Sequence, residues 1–217
     1  MENFIIKVCG MREPDNIRDV AALGVDWIGM IFWPGSPRCV AAPPDCPPGG
    51  PARVGVFVDA TADDIAAHVA DYGLSLVQLH GQEPPAFVAG LRRVLGPSVG
   101  VVKAVSVSSR ADVAVCRQYE PYVDYFLFDT RCPTVGGSGR QFDWSVLAAY
   151  EGARPFLLSG GIGPDDAARV ARFSHPRCAG IDVNSRFETA PARKDVAALE
   201  RFLKSLSPKN PSTPSTL

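Results

Sequence analysis

The sequence predicts an α/β chain that closes into a single (β/α)8 barrel. Three observations carry that expectation. Short β-branched or apolar runs alternate with stretches of helical period, the runs number eight, and polar residues gather just after them. An open doubly wound sheet is the fold alternative.

At 217 residues, with 46% hydrophobic and 21% charged residues, the chain is long enough to bury a full core as one domain. Its formal net charge of -1 removes any electrostatic reason to expect a nucleic acid or an anionic membrane as partner. No segment approaches the ~18 apolar residues of a membrane span, and no leader is apparent at the start. A cytoplasmic protein is expected. The six cysteines form no C-x-x-C pair and the three histidines are scattered, so neither a metal site nor a disulfide framework is indicated.

The strands are expected at residues 4–9, 27–32, 53–58, 74–80, 99–105, 125–129, 156–159 and 179–183. Helices are expected between them at 14–23, 62–72, 84–95, 109–119, 144–150, 164–173 and 193–206. Pro14, Pro84 and Pro164 suit first helical turns, and Thr61 and Ser108 are candidate N-caps. Between the second and third strands, residues 41–52 hold five prolines and two glycines, which predicts an irregular loop in place of a helix. Residues 1–206 are read as the barrel. Residues 207–217, rich in Ser, Thr and Pro, are read as a disordered tail.

A barrel places its site at the C-terminal ends of its strands, and those ends are polar here: Lys7-Val8-Cys9-Gly10, Gln78-Leu79-His80-Gly81, Phe128-Asp129-Thr130, Ser159-Gly160-Gly161 and Asp182-Val183-Asn184-Ser185. Strand alternation puts Lys7 one layer beneath Cys9 on the same face. An ammonium inside a barrel needs a carboxylate, and Asp182 is the candidate; the alternative is that Lys7 snorkels from the barrel bottom. Two glycine-rich loops, Gly136-Gly137-Ser138-Gly139 and Ser159-Gly160-Gly161-Ile162-Gly163, follow the sixth and seventh strands. With Asn184-Ser185 after the eighth, they form a candidate phosphate cradle of backbone N–H groups. There is no Walker lysine loop and no nucleotide fingerprint.

Nine segments in register at the strand ends resemble the phosphoribosylanthranilate isomerase family of tryptophan biosynthesis. They are KVCGM (7–11), SPR (36–38), VGVFVD (54–59), VQLHG (77–81), VKAV (102–105), FDT (128–130), GGSGRQFDW (136–144), LSGGI (158–162) and GIDVNS (180–185). The resemblance implies a cofactor-free Amadori rearrangement, in which an N-linked aminoaldose phosphate becomes a 1-amino-1-deoxyketose phosphate. It carries the general base over to Cys9 and the general acid to Asp129. It also implies that Arg38 faces the anthranilate carboxylate, and that the phosphate is held by Gly137, Gly139, Gly160, Gly161, Asn184 and Ser185. Gln78 and His80 are further candidate substrate contacts, with a hydrogen-bonded wall residue as the alternative for His80.

Physical logic supports the two catalytic roles. A protonated carboxyl can open the ribose ring, and a thiol needs only modest activation from its usual pKa of ~8.5 to take the acidified sugar proton. Two departures from the family stand out. Arg186-Phe187 replaces a glycine found in many members, leaving Arg186 either on the phosphate or in solvent, and the proline-rich 41–52 replaces a more regular helix.

Three rival readings are weaker. A histidine-pathway isomerase barrel would carry a carboxylate in place of Cys9, and a metal-dependent epimerase would need convergent His and Asp ligands. A non-catalytic phosphate-binding barrel would not need both Cys9 and Asp129. The expected partner is a small-molecule substrate, and the chain is expected as a monomer or homodimer.

Overall fold

In the computed structural model the described residues are 4–44, 49–130 and 143–206. Eight parallel strands close into a barrel in chain order: β1 (Ile5–Val8), β2 (Trp27–Ile31), β3 (Ala52–Phe57), β4 (Leu76–Leu79), β5 (Gly100–Val107), β6 (Tyr125–Thr130), β7 (Phe156–Leu158) and β8 (Cys178–Val183). The seam is β1 against β8, with Ile5 opposite Gly180 and Lys7 opposite Asp182. That pairing excludes the open sheet.

The outer layer is less regular than expected. Helices α1 (Pro14–Ala21), α2 (Ala62–Tyr72), α3 (Pro85–Leu95) and α6 (Val196–Leu206) are well formed, whereas α4 (Arg110–Ala114) and α5 (Ala167–Arg172) are short and joined to 3-10 turns. The segment expected as a helix over 144–150 is a 3-10 turn, Trp144–Ala149. Between β2 and β3 no helix occurs among the described residues; instead the chain folds back so that Val40 N–H donates to Ile31 O (2.8 Å).

Several boundaries move for local reasons. Thr61 caps α2, its hydroxyl accepting from Asp64 N–H, but α4 is capped at Ser109 and not at Ser108. Asp112 ties both serines, accepting from the backbone N–H and hydroxyl of Ser109 (2.8 and 3.0 Å) and of Ser108 (3.0 and 2.9 Å), so it braces the turn without choosing between them. Pro84 sits at the cap position of α3, and Pro85 occupies its first turn. The helix expected over 193–206 begins only at Val196. A hairpin precedes it, formed by β9 (Glu188–Ala190) and β10 (Arg193–Lys194), because Asn16 on α1 grips the backbone of Lys194 on both sides (2.7 and 3.0 Å).

The core has two layers. Between strands and helices lie Ile17, Ile65, Val88, Leu91, Phe126, Phe128, Phe156, Leu199 and Phe202. Inside the barrel a smaller apolar cluster of Val54, Leu76, Val102, Ala104 and Leu127 is floored by Trp27 and Tyr125, whose rings meet edge-on at 5.1 Å. Above that plug the interior turns charged, then opens. Among the described residues no helix is long and apolar enough to cross a membrane. The tail at 207–217 lies outside the described residues.

One buried ion pair braces the strand ends outside the barrel. Lys103 Nζ donates to Glu83 Oε2 (2.9 Å), Gly81 O (2.9 Å) and Leu79 O (3.2 Å), while Glu83 Oε1 accepts from the backbone of Asp59 and Gly81 (3.0 Å each). The clamp ties β3, β4 and β5 together at the end that carries the site. Lys103→Met would strand a buried carboxylate and is expected to cost about 3–5 kcal/mol, read from urea unfolding. An unchanged midpoint would show that the clamp contributes nothing.

Candidate active site

Strand β1 delivers Cys9 to the barrel mouth, where its N–H donates to Val183 O (2.9 Å) and its side chain is buried. Gly29 on β2 makes room for the thiol: a Cβ there would fall 2.7 Å from Cys9 Sγ and 3.1 Å from its Cα. Gly10 turns the chain at φ +73°, and a Cβ on it would meet Asn184 Oδ1 at 2.6 Å and Arg38 Cδ at 2.8 Å. Glycine is required there for both conformation and space.

Beneath the thiol, Lys7 Nζ lies 2.7 Å from Asp182 Oδ1, and Ser159 Oγ donates to Asp182 Oδ2 (3.1 Å). Lys7 is 1% exposed, so it is a paired interior cation and does not snorkel. Burial pushes the Cys9 pKa up; Lys7 and Lys194 pull it back and Asp182 adds to the rise, and the net shift is upward. The expectation of a thiol needing only modest activation is therefore corrected. Desolvation outweighs the neighbouring cations.

Strand β6 brings Asp129 to the same mouth. It shares the inward face of Leu127 two residues earlier, and its Oδ1 accepts from Thr130 N–H (2.8 Å). Asp129 Oδ2 is 3.5 Å from His80 Nε2, both side chains being about four-fifths buried. The Gln78 amide nitrogen lies 2.9 Å from His80 Nδ1, and donation to Nδ1 places the proton of a neutral ring on Nε2, toward Asp129. Gln78 Oε1 is buried without a hydrogen-bond partner among the described residues.

The loop after β7 passes directly behind Asp129. Gly160 (φ +88°) could not carry a Cβ, which would lie 2.7 Å from Thr130 N and 3.1 Å from Asp129 Oδ1, and Gly161 follows at φ +69°. Asp166 Oδ2 accepts from Gly163 N–H (2.7 Å), starting the 3-10 turn that leads into α5. Arg186 lies over this loop, its Nε 3.1 Å from where a Cβ on Gly163 would be. Gly137 and Gly139 fall outside the described residues.

After β8 the side-chain oxygen of Asn184 accepts from Lys194 Nζ (2.8 Å) beside Gly10, and Ser185 opens a 3-10 turn. Arg38 reaches over Gly10 but is tied to Glu188: Nε contacts both carboxylate oxygens (2.9 and 3.0 Å) and Nη2 donates to Oε2 (2.7 Å). Lys194 holds the other side of that carboxylate at 2.6 Å. Burial alone would raise the Glu188 pKa, yet Arg38 and Lys194 hold it below the ordinary carboxylate value. Sequence reasoning missed both residues: Lys194 falls in 193–206, which reads as a helix, and Glu188 carries no local motif that marks it. What signal there was lies in an acidic and a basic residue spaced across the Ala190-Pro191-Ala192 turn.

The structure thus gathers Cys9, Asp129, His80, Gln78 and Arg38 at one mouth, with Gly160 and Gly161 at its edge. The thiol follows β1 and the carboxyl lies on β6, three strands apart around the closed barrel, and both are groups that can take or give a proton. Among the described residues no cluster of His, Cys, Asp or Glu could hold a metal ion.

Comparison with known proteins gives the same picture along nearly the full length. The family model for N-(5'phosphoribosyl)anthranilate (PRA) isomerase matches residues 6–205. An N-(5'-phosphoribosyl)anthranilate isomerase of Parabacteroides distasonis is 47% identical over 209 residues, covering 94% of this chain and 93% of its own. That of Phocaeicola vulgatus is 46% identical over 206 residues, covering 95% and 99%. A crystal structure of phosphoribosyl anthranilate isomerase in complex with reduced 1-(o-carboxyphenylamino)-1-deoxyribulose 5-phosphate superimposes with a TM-score of 0.78 at 28% identity, covering 94% of this chain and 98% of that one. With a closed eight-stranded barrel and a family match over residues 6–205, the chain belongs to the N-(5'-phosphoribosyl)anthranilate isomerase family.

Proposed function

We propose that Cys9 and Asp129 act as general base and general acid in the Amadori rearrangement of N-(5-phosphoribosyl)anthranilate to 1-(2-carboxyphenylamino)-1-deoxyribulose 5-phosphate. The observation that carries this reading is the placement of an inward thiol on β1 and an inward carboxyl on β6 at one mouth, with Arg38 beside the thiol.

The Asp129 carboxyl donates its proton to the ribose ring oxygen as the C1–O bond breaks, and the anilino nitrogen lone pair forms the C1=N iminium. Removal of the C2 proton by the Cys9 thiolate then moves the C2–H electron pair into a C1–C2 double bond, neutralising the nitrogen. The resulting enol becomes a ketone at C2 when C1 takes up a proton and the C2 hydroxyl gives one up. Every proton taken is matched by one returned, and no cofactor enters the balance.

Arg38 suits the planar anthranilate carboxylate. Gly160 and Gly161, whose open backbone lets N–H groups approach closely, suit the phosphate, together with Ser185 and, outside the described residues, Gly137 and Gly139. The phosphate and the carboxylate lie at the two ends of the substrate, so binding both aligns the sugar between thiol and carboxyl. Lys7 supplies a fixed cation under the thiolate, which partly offsets the burial that disfavours it. His80 orients the Asp129 carboxyl, and Gln78 sets the ring tautomer.

Purified protein is expected to consume phosphoribosylanthranilate, followed as loss of anthranilate-type fluorescence, and to leave the histidine-pathway aminoaldose phosphate unchanged. Cys9→Ser and Asp129→Asn should each lower kcat by about 10² to 10⁴ or more. Full activity in either variant rejects its role.

The pH profile follows from the sign of the Cys9 shift. The base works deprotonated but needs its acid partner protonated, so kcat/KM reports both groups, and the thiolate itself, whose pKa burial raises, is the direct readout and should form only beyond the ordinary thiol value of ~8.5. An ultraviolet thiolate titration, taken as the difference from Cys9→Ser, should rise over the same range. A plateau reached near neutrality would contradict the upward shift.

A further inference from the structure

Arg38 is not a free arginine waiting for an anion. Its guanidinium carries five N–H donors in a plane, with one forked edge at Nε/Nη2 and another at the Nη1/Nη2 end. Glu188 occupies the first edge completely, with contacts of 2.7, 2.9 and 3.0 Å, and its side chain is only 5% exposed. The Nη1/Nη2 end has no acceptor among the described residues. A carboxylate placed by itself against an arginine would normally cancel the charge meant for a ligand. Here Lys194, fully buried, grips the same carboxylate at 2.6 Å, so the trio of Arg38, Lys194 and Glu188 keeps one net positive charge. Lys194 is fixed in turn by Asn184 Oδ1 (2.8 Å) and by the backbone clamp from Asn16.

We propose that Glu188 is a positioning residue for substrate selection: it holds Arg38 by the Nε/Nη2 edge so that the Nη1/Nη2 end is presented, already aligned, to the aryl carboxylate. The inference rests on the reaction proposed above, and adds to it the group that makes Arg38 a preformed reader of a planar anion. An arginine that had to be ordered upon each binding event would lose part of that contact to side-chain entropy. The hairpin of β9 and β10 is then the device that supplies Glu188 and Lys194 at fixed spacing. A Cβ on Gly10 would collide with both Asn184 and Arg38, so Arg38 lies immediately against the residue that follows Cys9.

The test compares two substrates, phosphoribosylanthranilate and its decarboxylated analogue phosphoribosylaniline, with product formation followed by chromatography. In Glu188→Gln, which keeps the shape and one acceptor but loses the charge, the ratio of kcat/KM between the two substrates should fall about tenfold or more, mostly through KM of the carboxylate substrate. Glu188→Asp, too short to span Nε and Nη2, should lower the same ratio while a thermal melt reports whether it is folded. In an Arg38→Lys background the ratio should already be low, and adding Glu188→Gln should not lower it further. An unchanged ratio in folded Glu188→Gln and Glu188→Asp would overturn the inference even if the wild-type chain isomerises phosphoribosylanthranilate. Failure of the wild-type chain to convert either substrate would instead reject the reaction on which it rests.

Discussion

Lys7 and Asp182 stand opposite each other in the register that joins the first strand to the last, so the barrel closes across an ion pair in its own interior. Neither group can be left alone there, because an unpaired charge at that depth would cost several kcal/mol. The pair is poor evidence of added stability, since apolar residues could fill the same space. It does impose order. Lys7 must lie inward, which sends Cys9 inward two residues later, and Asp182 must lie inward, which brings Asn184 to the rim. Ser159, just after β7, joins the same carboxylate, so three neighbouring strands are held in one register beneath the barrel mouth.

The mouth above this pair is a contest between burial and charge. Cys9 sits where burial disfavours its thiolate, with Lys7 below and Lys194 to the side acting against that burial, and Asp182 acting with it. Arg38 and Lys194 would repel each other without Glu188 between them. The cationic side of the mouth is thus concentrated near β1 and β8. On the other side, Asp129 faces His80 across 3.5 Å, backed by Gly160. An anionic group is drawn to the cationic side of such a polarised opening and not to the Asp129 side.

Rigidity for this arrangement comes from outside the barrel. The buried Lys103–Glu83 clamp holds the carbonyls on both sides of His80, and Asn16 on α1 fixes the hairpin that carries Lys194. Residues outside the mouth thereby fix the angles of the side chains at its rim.

Much of this was legible in the chain. The eight apolar runs specify eight strands because a parallel strand buried on both faces needs apolar residues at nearly every position, and the proline-dense 41–52 has too few backbone donors to continue a helix. Cys9, Asp129, Gly160 and Gly161 could be placed from local order alone, since a strand's alternation decides which side chains face inward. Local sequence could not place Glu188 or Lys194. Their meaning depends on Arg38, 150 positions away from Glu188, and on Asn16, 178 away from Lys194. Nor could it give the sign of the Cys9 shift, which is a sum of burial and of charges on separate strands. Sequence determined which residues face the mouth, through the period-two geometry of each strand. Tertiary structure decided which charges meet there, because electrostatic and desolvation energies depend on distances between segments that only the closed barrel brings together.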